Sequence, residues 1–240
     1  MANPVLLNNV DHKDLRVLTT RGAQYGENVH FALTFPSEFR TLQAHYPIVF
    51  RKTDDGTSVE PVALLGFEEG ENLFLDGDQW DAPEFPLVIA RMPFMIGVNG
   101  DELMVHIDMD SPRIVPAGDQ SGEAVFLPHG GNTDYLERIS NTLLEIHRGL
   151  QGTPGFIAAL LELELLESFV MDVTLDDGSQ HRLVGFYTVN EDKLAALSGE
   201  VLERLMKAGY LQAIFFAQAS LSNLRLLVAR KNKRHNAGQG

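Results

Sequence analysis

Apolar residues alternate in short runs through the first half of the chain and recur at helical spacing through the second. Residues 1–28 are polar and irregular in this pattern. At Ser37 a helix is predicted to start: Ser37 is the N-cap, and Phe39, Leu42 and Tyr46 follow at helical spacing up to Pro47. Three β-runs come next, at 48–52, 61–67 and 71–75. Asp54-Asp55-Gly56-Thr57 is a strong turn between the first two, and the pattern reads as a three-stranded antiparallel meander. Asp76-Gly77-Asp78 turns the chain before Trp80. Prolines at 83, 86 and 93 punctuate the stretch that follows, with room for a short helix over 87–92. Asn99-Gly100 between the runs 94–98 and 102–107 signals a hairpin, because both central residues of its turn need positive φ. Residues 110–132 read as loop.

Beyond 132 the period changes. Thr133 caps a predicted helix to Arg148, with Tyr135, Leu136, Ile139, Leu143, Ile146 and Leu150 on one stripe. Thr153-Pro154 opens a second helix to about Glu167, Thr as N-cap and Pro at the first position. Runs 169–175 and 181–189 flank Asp176-Asp177-Gly178-Ser179 and form a hairpin. Helices follow from Asn190 or Glu191 to Leu197 and over 200–208, the latter ended by Gly209. From Tyr210 to Asn236 there is neither Gly nor Pro, so one long final helix is predicted. The alternative is a strand at 211–216 before a helix capped by Ser220. Strands followed by helices and one more hairpin predict an α+β fold, with an antiparallel sheet of short meanders and hairpins packed against helices from the second half. The domain reading is an irregular segment 1–30, a single domain 31–232 and a basic, flexible tail 233–240.

Charge narrows the function classes. Nineteen Lys and Arg face 33 Asp and Glu, a formal balance of −14. Such a chain repels a phosphate backbone, so no nucleic-acid partner is expected. Arg225, Arg230, Lys231, Lys233 and Arg234 nevertheless close the chain with no carboxylate among them. They read either as a solvated helix end or as a docking tail for an acidic partner or anionic lipid. There is no cysteine, which excludes disulfides, thiolate nucleophiles and thiolate metal sites. The N-terminus lacks the charged and apolar regions of a secretory signal. No window approaches the roughly 18–20 apolar residues of a membrane span. The expectation is a soluble, cytoplasmic protein without a transmembrane segment.

Candidate chemistry is sparse. The chain has no dinucleotide-binding, P-loop, zincin or nucleophile-elbow motif. Pro128-His129-Gly130-Gly131 resembles an esterase oxyanion loop, but without an elbow serine it has no partner. Glu162, Glu164 and Glu167 fit a solvated helix face. No cofactor is predicted. His106-Ile107-Asp108 is the one metal-like spacing: residues i and i+2 of a strand share a face, so an imidazole and a carboxylate could supply two ligands of a facial triad for Fe(II). His181 or His147 would supply the third. If a ligand site exists, the polar turn region around Glu71, Asn72, Asp76, Trp80 and Asp81, with Arg91 near in sequence, is the first place for it, since loops carry function more often than packed strands. The expected partner is a small molecule or another protein. A scaffold that homodimerises through the final helix is the third reading.

Several blocks together carry a resemblance. Phe35-Pro36-Ser37-Glu38, His45-Tyr46-Pro47-Ile48-Val49-Phe50, Pro61-Val62-Ala63-Leu64-Leu65-Gly66, Gly70-Glu71-Asn72-Leu73-Phe74 and Gln79-Trp80-Asp81 occur in that order. Ala90-Arg91-Met92-Pro93-Phe94, then Leu183 to Asn190, Lys193-Leu194 and Ser220-Leu221-Ser222-Asn223 continue it. This series resembles the SapC family over about residues 30–230, and departs from it at 82–86, where a tyrosine-containing step is expected. The resemblance implies an accessory protein of surface-layer gene systems. It also implies neighbours such as TonB-dependent receptors, tryptophan-halogenase-like proteins and cupin or JmjC-like oxygenases. It brings no catalytic residue set, so it implies membership and not a reaction.

Overall fold

The structure, a computed structural model, describes residues 3–100 and 102–237. Its first elements are β1 (Pro4–Leu6), β2 (Arg16–Val17), β3 (Phe31–Leu33), α1 (Phe39–Leu42), β4 (Ile48–Lys52) and β5 (Val59–Leu64). Then come β6 (Leu75–Asp76), β7 (Gln79–Trp80), α2 (Leu87–Ala90), β8 (Phe94–Asn99), β9 (Glu102–Asp108) and β10 (Glu123–Ala124). The second half holds α3 (Asp134–Glu162), β11 (Leu166–Thr174), β12 (Gln180–Val189), α4 (Glu191–Ala195), α5 (Gly199–Lys207), α6 (Tyr210–Ser220) and α7 (Leu224–Ala237). The fold is α+β, as the pattern predicts. The chain forms two compact units: one of Met1–Glu27, Leu75–Trp80 and Leu87–Arg148, the other of Asn28–Phe74, Asp81–Pro86 and Gly149–Gly240.

The second unit is built on a five-stranded antiparallel sheet in the order β11-β12-β4-β5-β3. The predicted meander is half right. β4 and β5 pair from Ile48↔Ala63 to Lys52↔Val59, but the third strand beside β5 is β3, with Phe31↔Leu64. The run 71–75 forms no meander strand: its last residue, Leu75, belongs to β6. The hairpin β11–β12 forms around the predicted turn, with Thr174↔Gln180 nearest the tip. α6 packs on α1 and across β4 and β12. Phe39, Phe50, Phe156 and Ile214 have essentially no exposed surface there, and Phe156 meets Phe39 edge-on at 6.0 Å.

The two helices predicted on either side of Thr153 are one continuous helix, α3, with Pro154 inside it. Thr153 does not cap: its hydroxyl donates to the Gly149 carbonyl at 2.8 Å, one turn back. Burial of Ile146 before the proline and of Phe156, Ile157 and Leu160 after it holds the helix through the missing donor. Gly149 lies under Phe35, where an added Cβ would stand 2.1 Å from the ring. That close approach explains a glycine inside a helix. α3 ends at Glu162, so 166–168 are strand and not helix. At α1 the predicted Ser37 cap is absent: Glu38 stands at the N-cap without a side-chain cap bond, and its carboxylate accepts from the Thr34 hydroxyl.

Caps behave as expected further on. Asn190 accepts from the Lys193 N–H and Ser198 from the Val201 N–H, and Gly209 takes the left-handed conformation, φ 76°. The final stretch is helical throughout, broken only by a 3-10 turn at Leu221–Asn223. The alternative strand at 211–216 does not form. Ser220 is no cap either. It is wholly buried, donates to the Ala217 carbonyl and accepts from the Ile48 N–H at 2.8 Å. The expectation that no stretch reaches span length needs correction. Tyr210–Asn236 is long and apolar enough by length and composition, with a window of mean hydropathy 1.2, of which 39% is buried within the protein.

The first unit contains the sheet β1-β9-β8, the pair β10-β2 and the short hairpin β6-β7. The N-terminal segment is therefore less irregular than its polarity suggests: Pro4–Leu6 pairs antiparallel with β9 and Arg16–Val17 with β10. β8 and β9 pair as far as Asn99↔Glu102, so the predicted hairpin forms, and Asp101 lies outside the described residues. Phe94 and Ile107 from these strands, Val17, Val125 and the α3 stripe Leu136, Ile139 and Leu143 make its core. Thr133 caps α3 through its hydroxyl, which accepts from the Leu136 N–H.

Candidate functional site

The sequence-predicted ligand residues fall into different units. Glu71, Asn72 and Asp81 belong to the second unit, Asp76, Trp80 and Arg91 to the first. In the second unit the three polar residues meet α7. The Glu71 carboxylate accepts from the Lys231 ammonium at 2.5 Å and from the Phe67 N–H at 2.9 Å. Asn72 is buried, takes the Phe74 N–H on its side chain and the Arg234 guanidinium on its carbonyl. Asp81 takes Arg230 on both its carboxylate and its carbonyl, and the Arg230 guanidinium lies 4.3 Å over the Phe74 ring. The basic run read as a solvated end or docking tail is thus largely spent within its own unit. It is helical to Ala237, and residues 238–240 lie outside the described residues. Asn232 and His235 add contacts to the tip of the β11–β12 hairpin, at the Asp176 N–H and the Asp177 carboxylate.

The residues proposed for Fe(II) are likewise divided. His106 and Asp108 lie on β9 in the first unit, and His181 lies in the second, where its Nδ1 meets Glu68 at 2.5 Å. The His106 ring covers Gly97 on the neighbouring strand, where a Cβ would stand 2.4 Å from it. His147 lies on α3 in the first unit. Among the described residues no three His, Cys, Asp or Glu side chains gather as a metal would need. Asp76 and Trp80 sit on β6 and β7, paired as Asp76↔Gln79 and Leu75↔Trp80. For the scaffold reading, Phe215 and Leu226 are the large exposed apolar residues of α6 and α7.

Arg91 and Asp108 do come together, in a cleft of about 510 Å³ in the first unit. The turn after α2 builds one wall. Arg91 accepts the Phe94 N–H on its carbonyl at 2.8 Å and donates from its guanidinium to the Phe94 carbonyl at 2.5 Å. Met92, Pro93 and Met95 continue that wall. The end of β9 builds the other: the Asp108 N–H donates to the Pro93 carbonyl, and a turn carries Asp110, Ser111 and Pro112 to the rim. Asp108 Oδ1 accepts from the backbone N–H groups of Asn3 and Asp110 at 2.8 and 3.2 Å. Asp110 is exposed. Arg91 is half-buried, and burial pushes its pKa down. No described carboxylate forms an ion pair with it.

Tyr25 completes the lining and rests on a buried charge group. The Arg113 guanidinium lies 4.3 Å from the Tyr25 ring centroid. Arg113 is 2% exposed and Glu27 wholly buried. Arg113 donates to the carbonyls of Leu18 and Thr20 and, at 2.6 Å, to Glu27. Glu27 also accepts from Arg21 at 2.8 Å and from the Gly22 N–H at 2.9 Å. Burial lowers the Arg113 pKa and the Glu27 carboxylate opposes that shift. Arg113 Nε is buried without a hydrogen-bond partner. Glu27 and Arg113 fix the loop that carries Tyr25. Neither they nor Tyr25, Asp110 and Ser111 stand out in the sequence, since all lie in aperiodic segments. The local signals that do fall on the cleft are the Arg91-Met92-Pro93-Phe94 step and Asp108 of the His106-Ile107-Asp108 spacing.

The family model described as SapC matches residues 7–227. No curated protein and no solved structure matches the chain. A match over nearly the whole length, spanning both the cleft of the first unit and the sheet of the second, shows that the chain belongs to the SapC family.

Proposed function

We propose that this SapC-family chain is a binding module that holds a small polar molecule in the cleft between the turn after α2 and the end of β9. It works as a cytoplasmic accessory protein of a surface-layer or TonB-dependent uptake system, beside tryptophan-halogenase-type enzymes, as the family resemblance implies. One observation carries the binding reading: Arg91 lines a cleft of about 510 Å³ as a half-buried cation without a carboxylate partner among the described residues. That volume lies within the range of small-molecule sites. A buried charge is normally paired, so a cation left open to a cleft favours an incoming anion. The cleft mixes this group with apolar walls from Met92, Pro93, Met95 and Pro112, the usual composition of a ligand site.

The test is a saturation-transfer NMR screen of small polar fragments against the full chain and two variants. Arg91→Gln removes the cation, and Met95→Trp fills the cleft. Fragments that bind the wild type and lose signal in both variants support the reading. An empty screen, or hits indifferent to both changes, would refute it.

A further inference from the structure

Resting on the binding reading above, we infer that the ligand is a zwitterion, a small molecule carrying one carboxylate and one ammonium group. The cleft holds charges of both signs that do not neutralise each other. Arg91 donates one hydrogen bond, to the Phe94 carbonyl. A guanidinium has five N–H donors in a planar fork that matches a carboxylate, so most of its capacity is left for a ligand. In the same cleft, Asp108 spends Oδ1 on two backbone N–H groups. Asp110 takes a long contact of 3.4 Å from the Asn3 amide. Neither aspartate forms an ion pair with a described Lys or Arg, Arg91 included.

Each single-charge ligand meets a penalty here. A plain carboxylate drawn to Arg91 enters the field of two carboxylates, and a plain amine drawn to them faces the guanidinium. A like charge lining the same cleft disfavours each single-charge ligand. A zwitterion oriented with its carboxylate at Arg91 and its ammonium at Asp108 and Asp110 satisfies both ends. Met92, Pro93, Met95 and Pro112 offer apolar surface to the stem between them.

Calorimetric titration of the full chain decides it, with glycine, 4-aminobutyrate and 6-aminohexanoate as probes at constant ionic strength. Hexanoate and hexylamine are the single-charge controls. At least one zwitterion is expected to bind tenfold or more tighter than either control. Asp110→Asn, at an exposed position, should reduce that discrimination against hexanoate. Arg91→Gln should remove discrimination against hexylamine, and Arg91→Lys should restore part of it, which separates loss of charge from loss of fold. Hexanoate or hexylamine binding as tightly as every zwitterion would overturn the inference. So would silence of the whole series while the fragment screen still reports hits in the cleft, and that result leaves the binding reading standing. If both the series and the screen are silent, both fall.

Discussion

Replacing Glu27 with glutamine tests the charge group beneath the cleft. The substitution keeps the shape and removes the charge. Arg113, 2% exposed, would lose its only ion pair among the described residues, and Arg21 would lose its ion pair to Glu27 at 2.8 Å. Breaking a buried pair from one side typically costs about 3–5 kcal/mol, because the remaining charge is stranded without compensation. Arg113 has little to fall back on, since two of its donors already serve backbone carbonyls and its Nε has no partner. For a chain of this size each kcal/mol moves the melting temperature by about 2–4 °C, so a loss on the order of 6–20 °C is expected. The chain has a single tryptophan, Trp80, and it lies in the same unit as Glu27. Urea unfolding followed by tryptophan fluorescence therefore reads the right part of the molecule. The double variant Glu27→Leu/Arg113→Met should recover much of the loss, because it removes both charges together. A Glu27→Gln protein within about 1 kcal/mol of wild type would refute the claim that this pair organises the unit.

Three further outcomes follow from particular contacts. Ser220→Ala strands the Ile48 N–H inside the second unit and should destabilise by about 1–3 kcal/mol in chemical denaturation; Ser220→Thr, which restores the hydroxyl, should lose less if the methyl is accommodated. Gly149→Ala drives a methyl into the Phe35 ring at 2.1 Å. It should cost about 1–3 kcal/mol by overpacking, with Phe35→Leu in the same chain relieving part of it. Burial pushes the Tyr135 hydroxyl up to about 12, so an alkaline ultraviolet titration should show a late phenolate transition that loses one tyrosine's amplitude in Tyr135→Phe. The unfolded chain gives up that proton nearer its ordinary value of about 10. Stability from Tyr135 is therefore complete below that pH and is lost as pH rises towards about 12.

Elements bounded by turn chemistry are legible in the sequence alone. Asp176-Asp177-Gly178-Ser179 marks the hairpin tip because Asp177 accepts both the N–H and hydroxyl of Ser179, bonds the sequence announces by residue type. Ser198 and Gly209 bound α5 for the same local reason. The failures are tertiary. A three-residue edge strand at Phe31–Leu33 is too short to show alternation, so by sequence the run 71–75 looks like the better partner for β5. Pro154 argues locally for a helix start, and only the buried residues on both sides keep α3 continuous. At the site, the sequence marks Arg91 as a neighbour of the turn around Trp80 and as part of the Arg91-Met92-Pro93-Phe94 step, and Asp108 as half of a metal pair. Their meeting depends on β9 returning beside Pro93. Tyr25, Glu27 and Arg113 come from loops whose relation no periodicity encodes.

The most direct test of the central claim, that the first unit's cleft holds the ligand, uses the methionines that line it. Among seven methionines in the chain, Met92 and Met95 face the cleft. With methionine methyls labelled with ¹³C, titration with the tightest-binding of the three zwitterions should shift these two signals saturably and leave Met171 and Met206 in place. Movement of Met171 or Met206 while the Met92 and Met95 signals stay fixed to saturation would contradict the account.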